Sequence, residues 1–177
     1  PLYDKERIHN ADQFVSNNDI IYIAGFKATV IATPGHTLGH VCYFLNNEKL
    51  LFSGDTLFRL GCGRVFEGTM KQMKESLQAL RSLPDNTKVY CGHEYTLSNA
   101  KFCLSLQPKS NEMREIYNEI LKLRNNNFPT VPFSLGSEKK VNPFLQFDNS
   151  KFKKSINFEK EDDIEVFEYI RQKKDNF

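Results

Sequence analysis

The sequence has no tryptophan, no Cys-x-x-Cys pair and no apolar stretch long enough to cross a membrane, which would need about 20 consecutive apolar residues. Its four cysteines (Cys42, Cys62, Cys91 and Cys103) are scattered, which argues against a zinc finger and predicts free thiols in a reducing compartment. The polar opening PLYDKERIHN does not have the pattern of a signal peptide. We therefore predict a cytoplasmic protein, and an organellar form would require a leader that precedes this sequence.

A large excess of charge of either sign is also lacking. The 177 residues include 24 basic and 22 acidic side chains, for a net charge of +2. Such a weak field implies neither nucleic acid nor a membrane surface as a partner. Hydrophobic residues at 40% and aromatic residues at 12% are ordinary for a globular protein, and this length can bury a sizeable core in one domain or two small ones.

Short runs rich in β-branched and aromatic residues, separated by Gly, Pro or Asn, predict strands in the first half of the chain. Thr69 is a good helix N-cap, so a helix is predicted over residues 70–83. The run Leu50-Leu51-Phe52 is typical of a strand that is covered on both faces. The segment LFRLGCGRVF, residues 57–66, is predicted to be a loop. The predicted strands are residues 20–24, 26–32, 41–45, 50–53 and 88–91.

After Thr96 the apolar period changes from two to 3.6, which indicates a helical part. Residues 128–142 contain Pro129 and Pro132 and are predicted to be mostly loop. We therefore predict two domains, an α/β part over residues 1–96 and a helical part over residues 97–177. The predicted helices are residues 97–106, 111–126, 151–156 and 162–174.

Three potential metal ligands follow predicted strands next to Gly or Pro: His36, Asp55 and His93. Imidazole and carboxylate groups suit zinc, iron or manganese. A single His, or a Gly-Asp at a turn, is more often structural, so the prediction rests on three such strand ends in one small domain. His40 is better explained by a structural hydrogen bond, and His9, among charged residues, is given no role.

The motifs TPGHTLGH, GDTLF, GCGR with FEGT, CGHEYT, NPF at residues 142–144 and RQKKD at residues 171–175 occur in this order. As a set they resemble the glyoxalase II, or hydroxyacylglutathione hydrolase, family, and the resemblance covers nearly the whole chain. It implies an α/β fold: the C-terminal half of a metallo-β-lactamase αββα sandwich, followed by a small all-helical domain.

The resemblance also implies a reaction, the hydrolysis of the thioester S-D-lactoylglutathione to D-lactate and glutathione in methylglyoxal detoxification. Two divalent metal ions would be the cofactors, with zinc expected first and iron or manganese as alternatives. Asp55 would bridge the two ions as the catalytic ligand that holds the nucleophilic hydroxide with them. His36 would bind one ion and His93 the other.

The glutathione part of the substrate would contact five residues, by the same resemblance. Family members often have Tyr where this chain has Phe66, so a hydroxyl contact is expected to be lost. Charges at the end of the last helix also have a simpler explanation, complementation of the helix dipole. The five residues that would contact glutathione are Arg64, Phe66, Tyr95, Arg171 and Lys174.

The implied partner is a small molecule, and the expected assembly is a monomer or weak homodimer.

One departure from the family keeps other functions open. Family members carry a His-x-His-x-Asp-His motif upstream, and this sequence has four histidines and no such motif. We therefore expect these residues alone to be incomplete for catalysis and to expose an apolar sheet face. A glutathione persulfide dioxygenase or another enzyme of this fold is one alternative, although the helical extension with Arg171 and Lys174 argues against the dioxygenase. A non-catalytic fragment that binds glutathione conjugates is the other.

Overall fold

A six-stranded mixed sheet forms the centre of the computed structural model, which describes residues 1–158 and 160–177. Its strand order is β1-β2-β3-β4-β7-β8, and β5 and β6 form a separate ribbon. The strands are β1 (Ile20–Ile23), β2 (Phe26–Ala32), β3 (Val41–Leu45), β4 (Leu50–Gly54), β5 (Leu57–Phe58), β6 (Gly61–Cys62), β7 (Lys88–Cys91) and β8 (Phe133–Ser134). The helices are α1 (Met70–Arg81), α2 (Thr96–Leu106), α3 (Asn111–Asn125), α4 (Leu135–Val141), α5 (Ser150–Ser155) and α6 (Asp163–Asp175), with 3₁₀ turns at Leu2–Asp4 and Pro143–Leu145.

The pairing of the strands decides where the loops lie. Strands β1 to β4 form an antiparallel meander, β7 pairs in parallel with β4, and β8 pairs antiparallel with β7. Strands β2, β4 and β7 therefore run in the same direction. Their carboxyl ends lie at one edge of the sheet, where side chains that follow each strand can meet.

Helix α1 follows β6 and lies in the connection between β4 and its parallel partner β7, and it begins at the predicted residue. The hydroxyl of Thr69 accepts a hydrogen bond from the backbone N–H of Gln72, and the Gln72 side chain accepts one from the backbone of Thr69. This capping box satisfies two of the free donors at the helix start. The predicted apolar stripe of α1 is confirmed, because Met73, Leu77 and Leu80 are buried.

A single hydrophobic cluster joins the sheet to the helices. It includes Leu51 and Val89 from the sheet together with Phe102, Ile120 and Phe167 from α2, α3 and α6. Strand β8, which comes from the helical half of the chain, also extends the sheet. The two predicted parts thus share a core in this structure, and the boundary between residues 96 and 97 stays a prediction.

The prediction that residues 128–142 are mostly loop was wrong, because β8 and α4 lie within them. The Ser134 side chain caps α4 by accepting from the backbone N–H of Ser137. Backbone hydrogen bonds from Leu135 to the Thr87 carbonyl and from Gly136 to the Asp85 carbonyl hold this segment against the loop between α1 and β7. These tertiary contacts outweigh the effect of Pro129 and Pro132, which favoured a loop.

Two other expectations need correction. Residues 57–66 are not a simple loop, since they contain the β5–β6 ribbon, in which Leu60 has a φ of 57°. Strand β4 is not covered on both faces, since Leu51 is buried and Phe52 is 41% exposed and stacks on Tyr90 at 5.3 Å between ring centroids. The sheet therefore has one buried face and one partly open aromatic face.

The described helices include none that is long and apolar enough to cross a membrane.

All four cysteines are free thiols; Cys91 is only half-buried and the other three are buried. Burial raises the pKa of Cys42 to about 12 and that of Cys62 to about 11, so both stay protonated at neutral pH.

Candidate active site

Three side chains meet where β2, β4 and β7 end. His36 follows β2, Asp55 follows β4 and His93 follows β7. His36 Nε2 lies 3.6 Å from Asp55 Oδ2, and His93 Nε2 lies 3.4 Å from Asp55 Oδ1. The three residues that the sequence singled out as ligands are therefore neighbours in space, with the carboxylate between the two imidazoles.

Asp55 is held closely by glycines on both sides. A Cβ on Gly92 would lie 2.7 Å from Asp55 Oδ1, and a Cβ on Gly63 would collide with the Asp55 carbonyl oxygen. Asp55 Oδ1 is buried and has no hydrogen-bond partner among the described residues. A buried carboxylate oxygen without a partner is costly, so this atom favours the binding of a cation.

The hydrogen bonds of His36 leave one of its nitrogens free for a ligand role. Its Nδ1 lies 2.9 Å from the carbonyl oxygen of Arg64, which can only accept, so Nδ1 carries the proton. The lone pair of Nε2 then points towards Asp55. Metal-binding histidines are commonly oriented in this way by a carbonyl on the other ring nitrogen.

His40 has the structural role that the sequence predicted. Its Nε2 accepts a hydrogen bond from the backbone N–H of Asp55 at 3.1 Å, and its Nδ1 lies 2.8 Å from Thr33 Oγ1 and 3.0 Å from Thr56 Oγ1. Burial, followed by the nearby His36, lowers the pKa of His40. A neutral His40 fits these bonds and fixes the backbone of Asp55.

The donor atoms form two pairs rather than one group. Among residues 1–158 and 160–177, no group of three or more His, Cys, Asp or Glu side chains surrounds a single point as a metal site would. Two ligands about 2.1 Å from one tetrahedral zinc ion lie about 3.4 Å apart, close to each His–Asp separation here. The residues present therefore fit part of a two-metal centre, with one oxygen of Asp55 and one imidazole on each side.

A cavity of about 620 Å³ opens beside these ligands. All eight site residues named from the sequence line it, although their roles stay predictions. His36, Asp55 and His93 line it together with Arg64, Phe66, Tyr95, Arg171 and Lys174.

One wall of the cavity is positively charged. Arg64, Arg171 and Lys174 lie there. The acid that pairs with both arginines is Asp175, whose Oδ1 is 2.9 Å from Arg171 Nη2 and 3.6 Å from Arg64 Nε. Burial lowers the pKa of Lys174, and the neighbouring Arg171 and Arg64 lower it further. An anion bound at this wall would relieve that repulsion.

Arg171 is more deeply buried than its predicted contact with glutathione suggests, with only 2% of its surface exposed. Its Nη1 donates to the carbonyl of Cys62 at 2.9 Å, and its guanidinium lies 5.1 Å from the centre of the Phe144 ring. Lys174 is more accessible, and its Nζ lies 3.4 Å from both oxygens of Ser98. Lys173 does not line the cavity, and its Nζ lies 4.9 Å from the centre of the Tyr169 ring.

Two aromatic rings flank the ligands. Tyr95 stacks on His93 with 4.9 Å between ring centroids, and Phe66 lies 5.0 Å from His36. Tyr95 is 51% exposed and Phe66 is 67% exposed. They give each imidazole an apolar neighbour while leaving the mouth of the cavity open.

Sequence reasoning missed several lining residues. Ser98 and Asn99 follow Tyr95 by three and four positions on α2, so helical spacing from Tyr95 would have placed them on the same face. Phe58 packs against both His93 and Tyr95, but no local signal in the loop-like segment pointed to it. The remaining lining residues that were missed are Cys62, Gly63 and Phe177.

Comparisons with known proteins agree with this arrangement. Residues 7–93 match the family described as the metallo-beta-lactamase superfamily, and residues 94–177 match the hydroxyacylglutathione hydrolase C-terminus. The chain is 49% identical to the hydroxyacylglutathione hydrolase of Bartonella henselae, an alignment that covers 100% of this chain and 70% of that protein.

Two solved structures share the fold. ETHE1 from Myxococcus xanthus aligns with a TM-score of 0.58 and 25% identity, covering 93% of this chain and 53% of that one. The B3 metallo-beta-lactamase BLEG-1 aligns with a TM-score of 0.52 and 27% identity, covering 76% of this chain and 49% of that one. This chain thus spans about half the length of each.

These similarities confirm the predicted metallo-β-lactamase fold with a helical C-terminal region. Such a family implies a dinuclear site for divalent metal ions. The candidate ligands at the ends of β2, β4 and β7, the cavity beside them and the similarity over all of this chain lead to one conclusion: the chain belongs to the hydroxyacylglutathione hydrolase family of the metallo-β-lactamase superfamily.

Proposed function

We propose that this protein hydrolyses glutathione thioesters, with S-D-lactoylglutathione as substrate and D-lactate and glutathione as products. The observation that carries the proposal is the position of Asp55, whose two oxygens face His36 and His93 beside a positively charged cavity wall. A metal centre and an anion-binding wall in one cavity suit a thioester whose thiol part carries carboxylates.

His36, Asp55 and His93 would hold two divalent metal ions, with Asp55 between them. When bound, the ions would lower the pKa of a water molecule so that it can act as a nucleophile at neutral pH. Zinc is proposed first because it accepts imidazole and carboxylate ligands, and iron and manganese remain the alternatives. The leaving thiolate has a pKa near 8.5 in an ordinary thiol, so the cavity needs no strong general acid.

Lys174 and Arg64 would bind the carboxylates of the glutathione part, and Tyr95 would pack against its backbone. Arg171 would contribute mainly through the positive potential of the wall, because its Nη1 is already bonded to the Cys62 carbonyl. Phe66 would exclude water beside His36. The four free thiols support a cytoplasmic location, and a monomer or weak homodimer stays the expected assembly.

The metal role is tested by comparing Asp55→Asn with Asp12→Asn, a matched change at an exposed position outside the cavity. We expect Asp55→Asn to weaken Zn²⁺ binding by at least tenfold in calorimetry, because it removes the shared carboxylate. It should also abolish thiol release from S-D-lactoylglutathione in the intact protein. Equal zinc affinity in the two variants would overturn the ligand assignment.

The substrate class is tested by comparing two adjacent lysines. We expect Lys174→Ala to weaken binding of S-methylglutathione roughly tenfold, since it removes a charged contact, and Lys173→Ala to leave the affinity unchanged. Titrations followed by NMR would measure both dissociation constants. Equal losses of affinity in the two variants would mean that overall charge, and not a contact of Lys174, controls binding. If the parent protein does not bind S-methylglutathione, the proposal that the positively charged wall binds glutathione is rejected.

A further inference from the structure

The β5–β6 ribbon depends on the helical half of the chain for its hydrogen bonds. Its turn spans residues 58–61 and contains Leu60 in the left-handed region. Side chains from the helices meet the polar backbone groups of this turn. On helix α2, Asn99 donates to the Arg59 carbonyl and Cys103 donates to the Leu60 carbonyl. Asn142 donates to the carbonyls of Phe58 and Gly61. Glu138 of α4 accepts from the Leu60 N–H.

Glu138 and Asn142 form the centre of this arrangement. Glu138 is 2% exposed, and its Oε2 accepts from the Leu60 N–H at 2.6 Å and from Asn142 Nδ2 at 3.0 Å. The same Nδ2 lies 3.2 Å from the carbonyl oxygens of both Phe58 and Gly61. Buried polar networks of this kind fix one backbone conformation when all their members are satisfied.

The two residues that follow the ribbon contact Asp55 and His36. Gly63 follows β6, its N–H donates to the Thr56 carbonyl, and its Cα packs against Asp55 where a Cβ would not fit. The next residue, Arg64, supplies the carbonyl that accepts from His36 Nδ1 at 2.9 Å. A shift of the ribbon would therefore move both the backbone beside Asp55 and the carbonyl that orients His36.

We propose that Glu138 and Asn142 are positioning residues that fix the β5–β6 ribbon so that the Arg64 carbonyl holds His36 with Nε2 directed at Asp55. Neither residue lines the cavity of the candidate active site. The inference rests on the proposed function only in giving His36 a ligand role. The orientation of the ring itself can be measured without metal or substrate.

The test separates positioning from general stability. Glu138→Ala removes the acceptor, whereas Glu138→Gln keeps one carbonyl oxygen for both donors. Asn142→Ser keeps a cap for the N–H of Phe144, which Asn142 now binds through Oδ1, but is too short to reach the ribbon. Ile120→Ala, a buried apolar change on α3, is the control for lost stability alone.

Hydrogen exchange of the Leu60 amide and NMR of the His36 ring nitrogens are the measurements. We expect Glu138→Ala and Asn142→Ser to speed Leu60 exchange by about tenfold and to shift the His36 Nδ1 resonance. Glu138→Gln should restore both, and Ile120→Ala should leave the His36 resonance unchanged. If Glu138→Ala does not fold, Asn142→Ser decides alone.

An unmoved His36 resonance in a folded Asn142→Ser variant would overturn the proposal, as would an equal shift in Ile120→Ala. Failure of the proposed function would look different. Zinc and S-methylglutathione would then not bind the parent protein, while the exchange and resonance effects of the four variants would persist.

Discussion

Glu138 is an acid enclosed by protein, and burial raises its pKa to about 7, against the lowering effects of the Leu60 N–H, the Asn142 side chain and the nearby Arg59. In the unfolded chain the same group has a pKa of about 4.5. Between these two values the folded protein binds the proton more tightly than the unfolded chain. Protonation of Glu138 therefore stabilises the fold.

This shift predicts a pH dependence of stability. The contribution of Glu138 is fully present below pH 4.5 and is lost as pH rises through about 7, because ionisation then takes place in the folded protein. The shift corresponds to at most roughly 3 kcal/mol. We expect Glu138→Gln to flatten the difference in the free energy of unfolding between pH 5 and pH 8, measured by urea denaturation. The same slope in parent and variant would contradict the assignment.

The three candidate ligands could be singled out from the sequence because each has a local signal, and their role as ligands stays a prediction. His36, Asp55 and His93 stand beside Gly or Pro at the end of a strand, and their motifs are specific. Asn142 belongs to the NPF motif, but neither Asn142 nor Glu138 has a local signal that indicates a contact with the β5–β6 ribbon. Their partners in the ribbon lie 78 to 84 residues away in sequence, so only the folded chain brings them together.

Helix α1 packs against the loop after β2 that carries His36. Ser76 donates a hydrogen bond to the Pro34 carbonyl at 2.8 Å, and Met73 packs so closely on Gly35 that a Cβ there would lie 2.8 Å from the Met73 backbone. Gly35 also has a φ of 149°, which favours glycine. The start of α1 and the loop that carries His36 are thus one packed unit.

The cap of α1 gives a prediction about this element. Thr69→Ala removes the acceptor for the Gln72 N–H and should lower the free energy of unfolding by about 1 kcal/mol. Thr69→Ser keeps the hydroxyl and should change it little. Urea denaturation of both variants is the measurement. A loss as large in Thr69→Ser would mean that the methyl group, rather than the cap, stabilises the helix.

Among the elements, the sequence predicted the longer helices, the strands of the meander, β7 and the short helix α5, and it missed α4, β8 and the β5–β6 ribbon. Helices α1, α2, α3 and α6 came within two residues of their observed bounds because their apolar stripes span several turns. Helix α4 has seven residues, with Gly136 in its first turn, and strand β8 has two. Both segments are stabilised by their neighbours, and neither has a periodic pattern that would reveal it.

The partly open aromatic face concerns the whole molecule. Tyr43, Phe52 and Tyr90 lie opposite one another on β3, β4 and β7 and form a row across the sheet. Ile20 and Tyr22, on the edge strand β1, are exposed as well. An apolar face and an edge strand of this kind promote association between copies.

We expect Phe52→Thr to slow aggregation of the chain, because it breaks the middle of the aromatic row while keeping a strand-forming residue. Phe128→Thr is the matched control, since Phe128 is also exposed but lies in a loop. Light scattering at several protein concentrations would measure both rates. An equal reduction in the two variants would indicate that overall hydrophobicity, not this face, controls association.

Strand β8 has a consequence for how the chain reaches this structure. Val89 of β7 pairs with Phe133 of β8, and α2 and α3 lie between them in sequence. The chain that forms α2 and α3 must therefore be looped out when β8 pairs with β7, and contacts so distant in sequence slow folding. A chain emerging from the ribosome therefore cannot complete its sheet until Phe133 and Ser134 have been synthesised, well inside the helical half.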